Sequence, residues 1–336
     1  MAAIAPPVAA TRVAVRSAIA ALGPGGRVLV ACSGGADSVA LAAAAAFVAP
    51  RLGLLPGLVT VDHGLQDGSS ARAEAVAAWG ASLGLDPSVA VRVSVDGPGG
   101  PEAAARDARY AALVGAARSH DAAAVLLGHT QDDQAETVLL ALARGAGPRG
   151  LAGMPSARVV DGVTFLRPLL DLPRDDTRKA CAALGLEVWE DPHNADPAYA
   201  RSRVRATALP ALVVALGPGV VANLARTARL AAADAEALDA LAAGALAAAR
   251  VGDGLSVVAL AALPAAIRSR VLHAWALSLG CPPAALSHRH VEALDALVTG
   301  WHGQGPTHLP GGLTVGRRAN PPILDLLPAI PDNSRT

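Results

Sequence analysis

The chain has 336 residues and a formal net charge of zero, with 52% hydrophobic but only 2% aromatic side chains. That length favours two domains over one, and the neutral balance argues against a broadly basic nucleic-acid surface, leaving such a partner only to local clusters. Three scattered cysteines, Cys32, Cys181 and Cys281, with no CxxC pair, exclude a disulfide framework and suit a reducing compartment. Lysine occurs once, at Lys179, against many arginines; biased codon usage accounts for this, and no function is drawn from it. The N-terminal stretch MAAIAPPVAATRVAVRSAIAALGPGG has arginines and no acids. Its basic residues do not precede a long apolar core, so it reads as a helix ending by Gly23 rather than a secretory signal. No uninterrupted apolar run is long enough to cross a bilayer. A cytoplasmic protein without a membrane partner is expected.

Next come four short β-branched runs: RVLVACS at 27–33, LPGLVTVDHG at 55–64, SVAVRVSVD at 88–96 and AAVLLGHT at 123–130. Longer alanine-rich stretches of helical spacing separate them. Strands alternating with helices predict a doubly wound, mostly parallel α/β sheet of Rossmann-like type. Ligands of such sheets bind beyond the carboxyl ends of the strands. The polar residues fall there: Ser33 to Ser38, Asp62 with His63, and His129 to Glu136. The segment 163–186 reads as an extended piece followed by a helix from about Pro173, and a turn-rich loop precedes a helical stretch at 201–216. After Gly217-Pro218-Gly219 the alternation stops, and helices are expected at 220–250, 263–279 and 288–298. A small hairpin should turn at Gly311-Gly312. The domain boundary is placed near Gly217, giving a catalytic domain over 1–216 and a smaller, mainly helical domain over 217–336.

The first strand runs into SGGADS, residues 33–38. Glycines at a strand-to-helix turn free backbone N–H groups to hold an anion. No lysine follows to reach outer phosphates, as it would in a nucleotide-hydrolysing loop. Asp37 beside a polyphosphate is repulsive unless a cation intervenes, so it predicts Mg²⁺. The motif resembles the pyrophosphate loop of N-type ATP pyrophosphatases, of the adenine nucleotide alpha hydrolase fold. The resemblance implies ATP cleavage between the α- and β-phosphates, and contacts from Ser33, Gly34, Gly35, Ala36, Asp37 and Ser38.

Three further stretches narrow the resemblance. GHTQDDQAETVLLALARGAGPRGLAGM at 128–154, the run at 166–212 and PEAAARDARYAAL at 101–113 are similar to bacterial tRNA(Ile)-lysidine synthetases; with VDHGL at 61–65 the likeness covers about 28–212. LPGGLTVGRR near the end also looks like a family feature. The family adenylates C2 of the wobble cytidine in the CAU-anticodon isoleucine tRNA and lets the amine of free L-lysine displace AMP. The resemblance therefore implies ATP and Mg²⁺ as cofactors, and that tRNA and lysine as partners. Many superfamily members pair, so a homodimer is carried as an expectation.

On that reading Asp37, His129, Asp132, Asp133 and Arg205 are catalytic, and Asp37 with Asp133 holds the metal. Asp132 and Glu136 lie one helical turn apart and can face one cleft. These acids serve to hold Mg²⁺, bind the lysine ammonium or accept its proton, or else cap the helix. Asp62 and His63 sit where an adenine or ribose contact would fall, or form a plain turn. Glu102, Arg106, Arg109, Glu136, Arg201 and Arg203 are candidates for tRNA or lysine binding, with a solvated ion-paired face as the alternative for the first three. Arg226, Arg229, Arg317 and Arg318 would extend the RNA face. Gln66 stands where a basic residue is expected, which weakens an RNA role for its loop. The chain stops soon after Arg318, without the extra C-terminal domain of longer members. The rival within the superfamily, a tRNA 2-thiolation enzyme, needs reactive or cluster-binding cysteines.

Overall fold

The structure, a computed structural model, describes residues 4–64, 68–95, 101–189 and 196–328, and at 101–103 the helix but not the side chains. The β-branched runs all form strands; those at 27–31, 55–62 and 122–127 are largely buried, while 88–92, at the sheet edge, is only partly covered. β1 (Arg27–Ala31), β2 (Leu55–Asp62), β3 (Ser88–Arg92), β4 (Ala122–Leu127) and β6 (Val163–Leu166) run parallel, and β5 (Ala157–Val160) closes the edge antiparallel to β6. The order is β3-β2-β1-β4-β6-β5. Helices α1 (Pro6–Ile19), α2 (Ala36–Val48) and α7 (Arg174–Ala183) cover one face around Ile19, Leu41, Leu126 and Leu169. On the other face Leu113 and Val114 of α4 (Pro101–Ser119) pack with Leu29, Val59 and Phe165. The remaining helices of this part are α3 (Ser69–Ser82), α5 (Gln131–Ala143) and the short α6 (Pro148–Leu151).

The strand order sets the site. From β1 the chain moves outward to β2 and β3, then returns to place β4 on the other side of β1. The crevice at this reversal is where an open parallel sheet accepts a ligand. Both motif-bearing segments, 33–38 after β1 and 129–136 after β4, open onto it. Their closeness requires Gly128: a Cβ there would lie 3.1 Å from the Asp37 carbonyl carbon and the Ser38 nitrogen. The β5–β6 hairpin was not anticipated. It turns on Asp161 and Gly162, both at positive φ, the pairing a two-residue hairpin turn prefers.

The chain divides into two compact units, Met1–Ala232 and Ala233–Thr336. The division falls within one continuous helix, α10 (Val220–Ala249). In the second unit α11 (Val257–Ala261), α12 (Ala265–Ser278) and α13 (His288–Thr299) pack with a five-stranded antiparallel sheet. Its order is β7 (Arg250–Val251), β8 (Gly254–Ser256), β11 (Ile323–Leu327), β10 (Leu313–Arg318), β9 (Thr307–Leu309). Trp275 fills the core at 0% exposure, and its indole N–H reaches the Asp253 carbonyl at 3.1 Å. The hairpin through Gly311 and Gly312 forms as expected. The other three strands were missed because two are only 2 and 3 residues long, too short to show alternation. No single described helix is long and apolar enough to cross a membrane.

Candidate active site

The loop after β1 is held by its own hydroxyls. The Ser33 N–H donates to Ser38 Oγ at 3.1 Å, and Ser38 Oγ donates to the Gly35 carbonyl at 2.9 Å. Ser33 Oγ lies 3.3 Å from the same hydroxyl. Gly34 sits at φ +85°, a conformation that disfavours any side chain. α2 begins at Ala36, and its first-turn N–H groups have no preceding helical carbonyl to bond. An anion therefore meets preset donors at the positive end of a helix.

Asp37, in that first turn, faces the helix after β4. Asp133 and Glu136 lie three apart on α5, on one face, and both are buried, Glu136 at 0% exposure. Buried carboxylates need counter-charges, and three arginines supply them. Arg205 grips Glu136 with two bonds, Nε to Oε1 at 2.7 Å and Nη2 to Oε2 at 3.0 Å, and reaches Asp133 Oδ1 at 3.3 Å. Arg174 spans all three acids: Nη2 to Asp133 at 2.9 Å, Nη1 to Glu136 at 3.3 Å and Nε to Asp37 at 3.4 Å. Arg201 Nε stands 3.6 Å from Glu136 Oε2. The Thr177 hydroxyl also donates to Asp37.

The carboxyls are tuned apart. Burial pushes the Asp37 carboxyl above its ordinary value, with Asp133 adding to the rise and Thr177 and Arg174 opposing it. Burial acts on Asp133 in the same direction, but Arg174, the Thr130 N–H and His129 outweigh it, and the group ends below the ordinary range. Asp133 is thus held as an anion that accepts bonds, a poor proton acceptor. It also closes a capping box: the Thr130 N–H donates to Asp133 Oδ2 at 2.8 Å. The capping that the sequence posed as one alternative is present, and the same side chain also meets Arg174 and Arg205.

Asp132 goes elsewhere. Its Oδ2 accepts the backbone N–H of Arg174 at 2.8 Å, capping the first turn of α7. The pair sharing a face is Asp133 with Glu136, not Asp132 with Glu136, because Asp132 turns outward to the neighbouring helix. Arg203 also leaves the cluster. It lies two residues from Arg201, on the other side of the helix, and donates to the Pro197 and Ala198 carbonyls. Arg201, in α8 (Ala200–Arg203), and Arg205 share a face, and Arg205 lies in a π turn, Val204–Ala208, that precedes α9 (Leu209–Leu216). Such widened turns recur at functional sites.

Two arginines escaped the sequence reading. Arg174 opens α7, where the helix dipole disfavours a cation; that misplacement was the available signal. Arg167, 4% exposed, donates from Nε to His129 Nδ1 at 3.3 Å, from Nη1 to the Pro155 carbonyl at 2.6 Å and from Nη2 to the Tyr110 hydroxyl at 3.4 Å. Because His129 Nδ1 accepts, the ring proton resides on Nε2. Burial, reinforced by Arg167, Arg109 and Arg201, lowers the His129 pKa to about 3. The ring is a neutral N–H donor, not an acid–base group near neutrality. Its folded pKa lies below the unfolded value of about 6.5, so the folded state binds fewer protons between these values. The contribution to stability is full above about pH 6.5 and is lost as pH falls toward 3. The His129 ring carbon proton signal should show no titration in NMR spectra between pH 5 and 8; an inflection near 6.5 would contradict the assignment.

Asp62 is taken up by its turn. It is 5% exposed, accepts the Gly64 N–H at 2.9 Å, and is held below the ordinary range chiefly by the Ser69 hydroxyl. His63 Nδ1, by contrast, is buried with no hydrogen-bond partner among the described residues, and burial and Arg109 lower the pKa of its ring. Arg106 and Arg109 flank Tyr110, at 5.0 and 5.9 Å from its ring centre. Burial and Arg106 lower the Arg109 pKa. The side chain of Glu102 and the residue Gln66 lie outside the described residues. Arg226 bonds Asn223, Arg229 pairs with Asp171, Arg317 donates to the Leu297 carbonyl at the end of α13, and Arg318 pairs with Asp325. Each of these last four engages its own surroundings.

A glycine loop at the switch point of a parallel sheet, opposite a buried carboxylate group, defines an ATP-using PP-loop protein. Residues 12–212 match the model of the PP-loop domain, and residues 255–320 match the TilS substrate binding domain. A tRNA(Ile)-lysidine synthase from Salinispora tropica is 68% identical over 95% of this chain and 96% of its own length. Another from Thermobifida fusca is 57% identical over 95% and 97%. The chain belongs to the tRNA(Ile)-lysidine synthase family. Among solved structures, the U34-tRNA thiolase NcsA from Methanococcus maripaludis with its [4Fe-4S] cluster superposes with a TM-score of 0.54 at 19% identity, covering 67% of this chain and 80% of that one. At that identity the likeness is one of fold.

Proposed function

We propose that the protein joins free L-lysine to C2 of the wobble cytidine in the CAU-anticodon isoleucine tRNA, using ATP. The C2 oxygen attacks the α-phosphorus and pyrophosphate leaves. The lysine ammonium loses one proton to solvent, its Nζ lone pair attacks C2, the C2–O bond breaks with AMP departing, and the second proton also passes to solvent. The observation that carries this reading is one cleft holding both a phosphate loop and a buried carboxylate pair already gripped by cations. Such a cleft suits a triphosphate on one side and an ammonium on the other.

The loop N–H groups from Ser33 to Ser38 hold the departing pyrophosphate. The neutral Nε2–H of His129 offers a donor to a phosphate oxygen without needing to titrate. Asp133 and Glu136 accept the lysine ammonium, and Arg205 keeps both oriented. His63, whose buried nitrogen has no partner among the described residues, offers an adenine or ribose contact, and Asp62 shapes the turn that presents it. Asp37 and Asp133 bond one guanidinium between them, so they bracket a position that a cation satisfies. Their oxygen donors fit Mg²⁺, with phosphate completing the set; among the described residues no cluster of three or more His, Cys, Asp or Glu side chains forms a protein-only cage. Bound there, Mg²⁺ would neutralise the polyphosphate charge.

All three cysteines are buried and unpaired, and burial raises their thiol pKa, to about 11 for Cys181. Reactive thiols need the opposite shift, which favours lysine transfer over sulfur transfer. The catalytic domain is taken as 1–216 and the RNA-binding domain as 217–336. ATP, tRNA and lysine meet in the cytoplasm, the proposed compartment. A homodimer is proposed on superfamily resemblance, and a single monomer boundary in sedimentation velocity would overturn it. With ATP and the tRNA but no lysine, quench-flow should show about one pyrophosphate per enzyme and then a stall, relieved by lysine. Pyrophosphate release that ignores the RNA would refute the order of steps.

A further inference from the structure

Beside the carboxylate cluster lies a cavity of about 350 Å³ lined by Arg106, Thr137, Leu140, Arg144, Ala200 and Arg201. Among the described residues its lining has three guanidiniums and no carboxylate. Arg201 separates it from the acids: Nη2 donates to Thr137 Oγ1 at 2.8 Å, while Nε is buried without a hydrogen-bond partner, 3.6 Å from Glu136. Arg106 is steadied on the Tyr110 ring and bonds its hydroxyl at 3.4 Å. Arg144, just past the end of α5, bonds the Ala141 carbonyl through its backbone N–H, and its guanidinium has no hydrogen bond or ion pair among the described residues. Arg109 stands close enough to Arg106 and Arg201 for the like charges to depress its own pKa. Like charges repel one another, and beyond Glu136, which meets Arg201 from the far side, the described lining offers them no anion, so the arrangement gains when an anion joins it.

The geometry points to this cavity as the seat of an RNA backbone phosphate flanking the reacting cytidine. The inference rests on the reading that the substrate is tRNA. A phosphodiester fits better than the α-carboxylate of lysine for two reasons. The exposed Arg144 opens the cavity to solvent, as a long polymer requires. Leu140 offers an apolar wall for a ribose. The placement also resolves a tension in the composition: a protein of zero net charge grips a polyanion by concentrating its arginines at one point rather than over a surface.

The test compares the full-length protein with Arg144→Gln, Arg144→Lys and Arg106→Gln. The readouts are tRNA dissociation constants across a salt series and separate KM values for tRNA and lysine. Each glutamine variant should weaken tRNA binding about tenfold at moderate salt and flatten log Kd against log salt by roughly 0.7 to 0.9. The KM for lysine should stay put, and Arg144→Lys should restore most of the slope. A raised lysine KM with unchanged tRNA binding would overturn the inference in favour of the amino-acid carboxylate. Unchanged values throughout would overturn it in favour of a plain surface. If the wild type binds tRNA with the expected slopes but transfers no lysine, the phosphate seat stands and the proposed activity falls.

Discussion

Changing Asp37 to Asn should lower the rate of pyrophosphate release about 10²- to 10³-fold, with tRNA binding retained. The substitution keeps the shape and removes one charge from a position that faces the phosphate loop. In the free protein Asp37 accepts from Thr177 and from Arg174 Nε, so an amide can hold the fold. What it cannot do is offer an anionic oxygen to a cation beside the polyphosphate. Losing one preorganised electrostatic contact of this kind costs about 10²- to 10³-fold. Burial raises the Asp37 carboxyl above its ordinary value, so a cation beside it would favour the anionic form that the amide cannot supply. Stopped-flow pyrophosphate detection reads the rate. A variant within threefold of wild type would remove Asp37 from the chemistry.

Changing Glu136 to Gln should act on both stability and substrate. Glu136 is 0% exposed and binds Arg205 with two bonds and Arg174 with one, with Arg201 nearby. The amide removes one carboxylate from a group whose remaining acids are Asp37 and Asp133. Arg205 and Arg174 then face a neutral oxygen and an N–H₂ that repels them. Breaking a buried pair from one side costs about 3 kcal/mol, read as a lower urea midpoint for the first transition. Lysine loses one of its two anionic partners, and its KM should rise at least about 10²-fold, while the KM for ATP moves little. Equal rises in both would place Glu136 in general scaffolding instead.

The parallel sheet and its loop were legible because both are local. A β-branched run ending in SGGADS places donors and Asp37 within six residues of one strand. Asp133 and Glu136 were legible as a group, yet the pairing was assigned to Asp132, because spacing alone does not say which way a first-turn side chain points. The structure decides it through α7, whose opening N–H takes Asp132. Arg174 and Arg167 were out of reach for the same reason. Their partners lie 137 and 38 residues away in sequence, and only the strand order joins them. The antiparallel sheet of the second unit depends on strands of 2 and 3 residues, whose pairing is entirely tertiary.

The most direct test is incubation of the purified protein with ATP, Mg²⁺, labelled lysine and a transcript of the isoleucine tRNA bearing a CAU anticodon. The account predicts label in the RNA that requires ATP, with one AMP and one pyrophosphate per lysine, and none with Asp37→Ala. ATP cleavage with no lysine in the RNA, or incorporation that survives loss of Asp37, would contradict it.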